Sequence, residues 1–165
     1  MVKSGKEPES MWQRIENLLH SVSTYADLSP DLAIRQQVNQ VLRDRPALSL
    51  DRWYERFWQP LGITKAVVAF VYSQLECYSG LEVARWHPSD RLNEDLKLTL
   101  VCWYDWDLSL YDDILDRFGV DVSECFDPYE CTTVGDFVVL LHRQLEAGDL
   151  RIPVCNSDIL RYPRS

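Results

Sequence analysis

The chain reads as an all-α protein, and three features of its 165 residues carry that reading. Apolar residues recur at three- and four-residue spacing, the periodicity of one helix face. These stretches are bounded by Ser, Thr, Pro or Gly residues suited to helix ends. The β-branched pair Val67-Val68 and the alternation in the tail RIPVCNSDILRYPRS are too short to set up strands. A hydrophobic content of 46%, with 12% aromatic residues, supports one packed core, since a chain of this length buries roughly two-thirds of its unfolded surface.

A first helix is expected from Glu9 to about Tyr25, with Met11, Ile15, Leu18, Leu19 and Val22 on one face. DLSPD stops it. Ser29 then suits an N-cap and Pro30 the first position of a second helix, which carries Leu32, Ile34, Val38, Val41 and Leu42 and ends before Pro46. Ser49 precedes a third helix, LDRWYERFWQPL, with Leu50, Trp53, Phe57 and Trp58 on one face and a break at Pro60-Leu61-Gly62. Thr64 begins a fourth, in which Ala66, Val67, Phe70, Val71 and Leu75 run to a left-handed cap at Gly80. Leu81 to Leu98 is rich in turn formers and aperiodic, so it is expected as a long connecting loop. In WYDWDLSLYDDILDRF, residues 103–118, Trp103, Trp106, Leu110, Ile114, Leu115 and Phe118 fall at helical spacing, and Gly119 ends the helix. Trp103, Trp106, Leu110, Ile114 and Phe118 are expected to face the core and the aspartates to face away. Thr132-Thr133 caps a last helix containing Val134, Phe137, Val138, Leu141 and Leu145, closed by Gly148.

A formal charge of -9 repels phosphate backbones and anionic membrane surfaces, so neither nucleic acid nor membrane is expected as a partner. The same charge complements a basic protein surface. Residues 1–10, MVKSGKEPES, lack the apolar core of a signal peptide, and the window AVVAFVY at 66–72 is far short of the roughly 20 residues that cross a bilayer. A cytoplasmic protein is therefore expected. Five cysteines, at 77, 102, 125, 131 and 155, are odd in number and irregularly spaced, as free thiols are in a reducing compartment. Cys125, Cys131, His142 and Cys155 lack the tight CxxC pairs of a zinc site, and no metal or cofactor is expected. His20, His87 and His142 sit in no catalytic signature, His142 is expected at the surface or half-buried, and no glycine-rich phosphate loop occurs. Neighbouring aspartates on a helix point about 100° apart, so Asp105, Asp107, Asp112 and Asp113 do not converge as metal ligands or as an acid–base pair. No enzyme is expected.

From Ile63 to about Gly148 the order is long helix, long loop, acidic helix, short connection, capped final helix. With EDL at Glu94–Leu96, DRFGVDV at 116–122 and TTVGDFVVLL at 132–141, this segment resembles an acyl carrier protein. The resemblance implies an acyl-carrier-like helical bundle at 63–148, preceded by a helical extension at 1–62 that packs on it or pairs two protomers, and followed by a tail at 149–165. Carriers attach phosphopantetheine to a serine that follows an aspartate and precedes a leucine at the start of the second helix. There the helix N-terminus favours a phosphate. Counting back from Phe118 by the family's helix length reaches Tyr104, so that serine is missing. The resemblance therefore implies a non-enzymatic protein-interaction adaptor or regulator. Its acidic second helix, through Asp105, Asp107, Asp112, Asp113 and Asp116, meets a basic partner. One alternative is a genuine carrier using Ser109, since Asp107-Leu108-Ser109-Leu110 loosely echoes the attachment pattern. Another is a small apolar-ligand binder using the space between the helices. Tyr54 and Trp58, four residues apart, offer a separate candidate docking patch.

Overall fold

The computed structural model describes residues 28–149. The expected helix at Glu9–Tyr25, His20, Cys155 and the tail from residue 150 lie outside them. The described part is helical, its only ladder pairing being a single bridge between Arg91 and Thr133.

Helix α1 spans Leu32–Leu42. Its cap is Asp31, not Ser29: Asp31 Oδ1 accepts from the N–H groups of Ala33 and Ile34, both at 3.0 Å. A carboxylate here satisfies two orphan donors at once and sits favourably at the positive end of the helix dipole, which the Ser29 hydroxyl would do less well. Val38 and Leu42 are buried, whereas Leu32 and Val41, expected on the same face, stay 64% and 67% exposed.

Helix α2 begins as Leu50–Trp53, with Ser49 Oγ accepting from Arg52 N–H at 3.4 Å. It continues through a π turn at Tyr54–Trp58 and a 3₁₀ turn at Gln59–Leu61 before Gly62 turns left-handed at φ 71°. The π turn inserts a residue, so Trp53 and Trp58, five apart, both point inward and are fully buried. Trp53 packs edge-on against Trp58 at 5.1 Å and Tyr72 at 5.4 Å, and its Nε1 donates to the Trp86 carbonyl at 2.9 Å. The Tyr72 hydroxyl donates to the Leu48 carbonyl at 2.9 Å. The first bond ties α2 to the segment after Gly80 and the second ties the residue before Ser49 to helix α3, Lys65–Ser79, while the Trp53–Tyr72 ring contact joins the two helices directly. Helix α3 runs from Thr64 to a left-handed Gly80 as its sequence predicts.

Residues 81–97 hold one 3₁₀ turn, Val83–Arg85, ahead of the short helix α4 at Leu98–Val101. The irregular backbone hides a buried interior, because Leu81, Val83, Trp86, Leu92 and Leu96 all enter the core. Asp90 organises this segment. Its buried carboxylate accepts from Arg45 Nη1 and from the His87 N–H, each at 2.7 Å, and its carbonyl accepts from the Val134 N–H at 3.0 Å. A buried charge is tolerated because it is paired and hydrogen-bonded.

Helix α5 spans Trp106–Phe118, a 3₁₀ turn follows at Pro128–Glu130, and helix α6 spans Val134–Asp149. At the start of α6, Thr133 Oγ1 accepts from the Asp136 N–H at 3.1 Å while Asp136 Oδ2 accepts from the Thr133 N–H at 2.9 Å. This reciprocal pair is a capping box closed by aspartate. Gly148 lies inside α6 and does not close it: a Cβ there would meet Val120 Cγ1 at 2.3 Å, so its role is a close approach of helix to loop. Helix α3 packs on α6 and α1 on α4. One contiguous core runs from Val38 to Leu145, with members on both sides of the 62/63 boundary. No helix among the described residues is long and apolar enough to cross a membrane.

Candidate functional site

Helix α5 holds most of the residues in question. Trp106, Leu110 and Ile114 recur every four residues on its buried side, against the core that α3 and α6 also line. Leu108, Ser109, Asp112, Leu115 and Asp116 fall at i, i+1, i+4, i+7 and i+8, and all are exposed. The outer face is therefore mixed: two carboxylates lie between two leucines, which are 59% and 45% exposed. The apolar periodicity that includes Leu115 is real, but Leu115 belongs to this outer row.

The aspartates separate into three settings. Asp112 and Asp116 are free on the outer face. Asp113 is half-buried, and its Oδ2 accepts a hydrogen bond from the Tyr78 hydroxyl of α3. Burial, then that bond and the charge of Asp113, push the Tyr78 phenol well above its ordinary range. Asp113 is thus an internal tie between α3 and α5, where the helix pattern predicts a carboxylate turned away from the core. Asp105 and Asp107 sit at the N-terminal end of α5, where an anion is favoured by the dipole.

Trp103 departs from expectation. It stands before α5, outside the helix, and is 51% exposed. The helix starts later because α4 ends at Val101, Cys102 is extended, and Trp103 to Trp106 forms a turn in which the Trp106 N–H meets the Trp103 carbonyl at 3.2 Å. The three-residue spacing of Trp103 and Trp106 is therefore a turn and not a helical repeat. Tyr104, the residue reached by counting back from Phe118, is 74% exposed in that turn. Ser109 is exposed one turn inside the helix, its N–H already directed at the Asp105 carbonyl at 3.4 Å.

Trp103, Tyr104, Asp105, Trp106, Asp107, Leu108, Thr99 and Tyr129 enclose a groove of about 530 Å³. Its floor is the Trp106 indole, edge-on to Tyr129 at 5.9 Å. Tyr129 is fixed by the turn at Pro128–Glu130, where its N–H donates to Asp127 Oδ1 at 2.8 Å. Residues 28–31 run along the rim: the Tyr104 N–H donates to the Leu28 carbonyl at 3.2 Å and the Asp31 N–H to the Leu100 carbonyl at 2.8 Å. Burial, followed by the charge of Asp107, raises the pKa of the Tyr129 phenol. Burial and then the charges of Asp127 and Asp107 push Tyr111 up to about 12. This end of α5 is electronegative. The signal was present in the sequence as WYDWD, residues 103–107, but nothing local to that string indicates that the distant Tyr129 completes the groove.

The other candidates fall elsewhere. Trp58 is fully buried beneath the π turn, and Tyr54 is half-buried with the Lys65 Nζ 5.8 Å from its ring centre. The Tyr54–Trp58 docking patch is therefore not formed, because the extra residue of the π turn rotates Trp58 into the core. His142, expected at the surface or half-buried, is buried, with Nε2 3.3 Å from Glu146 Oε1. His87 packs its ring 5.4 Å from that of Phe57. Among the described residues, no three His, Cys, Asp or Glu side chains are grouped to hold a metal ion, and Cys125, Cys131 and His142 do not come together in such a group. No family model, curated protein or solved structure matches the chain.

Proposed function

We propose that this protein is a non-enzymatic adaptor or regulator built on a degenerate acyl-carrier-like bundle, with the outer face of α5 contacting a basic surface on a protein partner. The observation that carries the reading is the mixed exposed row Leu108, Asp112, Leu115 and Asp116. Carboxylates on such a face steer a basic partner into register, and the interleaved leucines supply apolar contact once the two surfaces meet. The order of α3, the long segment, α5, the 3₁₀ turn and α6 supports the carrier-like reading. Tyr104 in place of the attachment serine supports loss of carrier chemistry, since a phenol has no primary hydroxyl on a short stem.

The test is affinity capture with the full chain as bait, repeated with Asp112→Lys and Asp116→Lys together. Asp113 is left intact because its substitution would break the tie to Tyr78. Loss of a specifically captured protein is expected, and undiminished capture removes this face from the interface. The carrier alternative rests on the exposure of Ser109. Incubation with a phosphopantetheinyl transferase and coenzyme A, followed by intact mass, is expected to leave the chain unmodified, and an adduct at Ser109 would replace the adaptor reading.

A further inference from the structure

We propose that the groove at the N-terminal end of α5 is the docking site for an arginine-bearing amphipathic segment of the partner. This rests on the adaptor reading and specifies what the partner presents. Three large apolar side chains face solvent together here: Trp103 at 51%, Tyr104 at 74% and Leu108 at 59% exposure, with Tyr129 at 44% beside them. Such a concentration at one place marks an interaction surface, and Trp and Tyr are the residues that most often anchor one.

The platform is already in place. Trp106 is buried under it and stacked edge-on with Tyr129, and the backbone on either side is held by the bonds of Tyr104 to Leu28 and of Tyr129 to Asp127. A surface fixed before binding loses little conformational freedom when it is covered. Its charge selects the occupant. Asp105 and Asp107 line the groove, and among the described residues no Lys, Arg or His does. Asp105 holds the N-cap position of α5 yet makes no capping hydrogen bond, so its exposed carboxylate remains available. Aspartate at an N-cap ordinarily accepts from the first turn, as Asp31 does at α1.

Aromatic faces beside uncommitted carboxylates suit a guanidinium, which stacks on a ring while its planar fork meets a carboxylate. Leucine-like residues on the same segment would cover the remaining apolar surface. A second copy of this chain is the poorer occupant, because it would set Asp105 and Asp107 against their own equivalents in a molecule of net charge -9.

The experiment uses fluorescein-labelled synthetic helical peptides of equal length, read by anisotropy against the full chain. One alternates Leu and Arg at amphipathic spacing, one has Glu for Arg, one has Ser for Leu, and one has the sequence of residues 9–25 of this chain. The Leu/Arg peptide is expected to bind best. Trp103→Ser with Tyr104→Ser should weaken it at least tenfold, and Asp105→Asn with Asp107→Asn at least fivefold with a shallower salt dependence. Leu61→Ser, an exposed leucine outside the groove, should stay within twofold of wild type. Far-UV circular dichroism and melting confirm that each variant is folded. Equal binding by the aromatic variant, or equal affinity for the Leu/Glu peptide, overturns the proposal. Equal affinity for the Ser/Arg peptide also overturns it, while leaving the acidic face of α5 standing as the contact. Tighter binding of the 9–25 peptide, or a concentration-dependent dimer lost with Trp103→Ser and Tyr104→Ser, assigns the groove to this chain itself and overturns it as well.

Discussion

Gly80 and Gly119 end α3 and α5 in the same left-handed conformation, at φ 65° and 69°. Their surroundings differ. A Cβ at Gly119 meets nothing within 4 Å, whereas one at Gly80 would lie 2.7 Å from Arg35 Cδ and Nε. Arg35 is not free to withdraw, because its Nη2 donates to the Val101 carbonyl at 2.7 Å. Gly119→Ala should therefore cost about 1 kcal/mol, the left-handed penalty alone. Gly80→Ala should cost about 2–3 kcal/mol, adding displacement of a hydrogen-bonded arginine. Urea midpoints of the two variants compare them directly. Among the thiols, burial pushes Cys102 and Cys131 up to about 12, while Cys77 is exposed. Iodoacetamide at pH 8 should label Cys77 on the native protein and reach Cys102 and Cys131 only after denaturation, as peptide mapping would show, since the thiolate is the reactive form.

Helix α5 is held by more than its apolar face. The Tyr78–Asp113 bond crosses from α3, so Tyr78→Phe should destabilise the protein by about 1–2 kcal/mol, the cost of leaving a half-buried carboxylate without its donor. Asp112→Lys, on the open face, should change stability by less than about 0.5 kcal/mol, whereas Asp113→Lys should be markedly worse. Thermal melts of the three variants check the order, and equal melting of Asp112→Lys and Asp113→Lys would remove the tie from the account. α5 also marks the limit of reading elements from a string. Its end at Gly119 and its inward row of Trp106, Leu110 and Ile114 are legible, since both follow from local geometry. Its start is not, because the turn at Trp103–Trp106 satisfies the same spacing as a helix and is selected by where α4 delivers the chain.

At the scale of the whole molecule, the buried thiols and phenols make stability sensitive to alkali. Cys102 and Cys131 have an ordinary pKa of 9.0, raised in the folded state to about 12 by burial, and Tyr111 rises from 10.0 to about 12 for the same reason, reinforced by Asp127 and Asp107. Below about pH 9 both states bind these protons, so their contribution to stability is fully present. As pH rises from about 9 to 12 the unfolded chain releases protons that the folded chain retains, so stability falls, by on the order of 1 kcal/mol per pH unit for each buried thiol. Urea titrations at pH 8 to 11 should show this decline, and Cys102→Ala with Cys131→Ala should flatten it. Helix class, most helix bounds and the acidic stretch at 103–118 were all readable from residue order, because periodicity, caps and composition act over a few residues. Folding alone decided which of those acids are free, since Asp113 is taken up by Tyr78 from another helix and Trp58 is turned inward by a π turn. It likewise decided that WYDWD meets Tyr129 to form a groove. Burial and hydrogen-bond partnership are properties of segments far apart in the chain, and no short string records which distant side chain will arrive beside it.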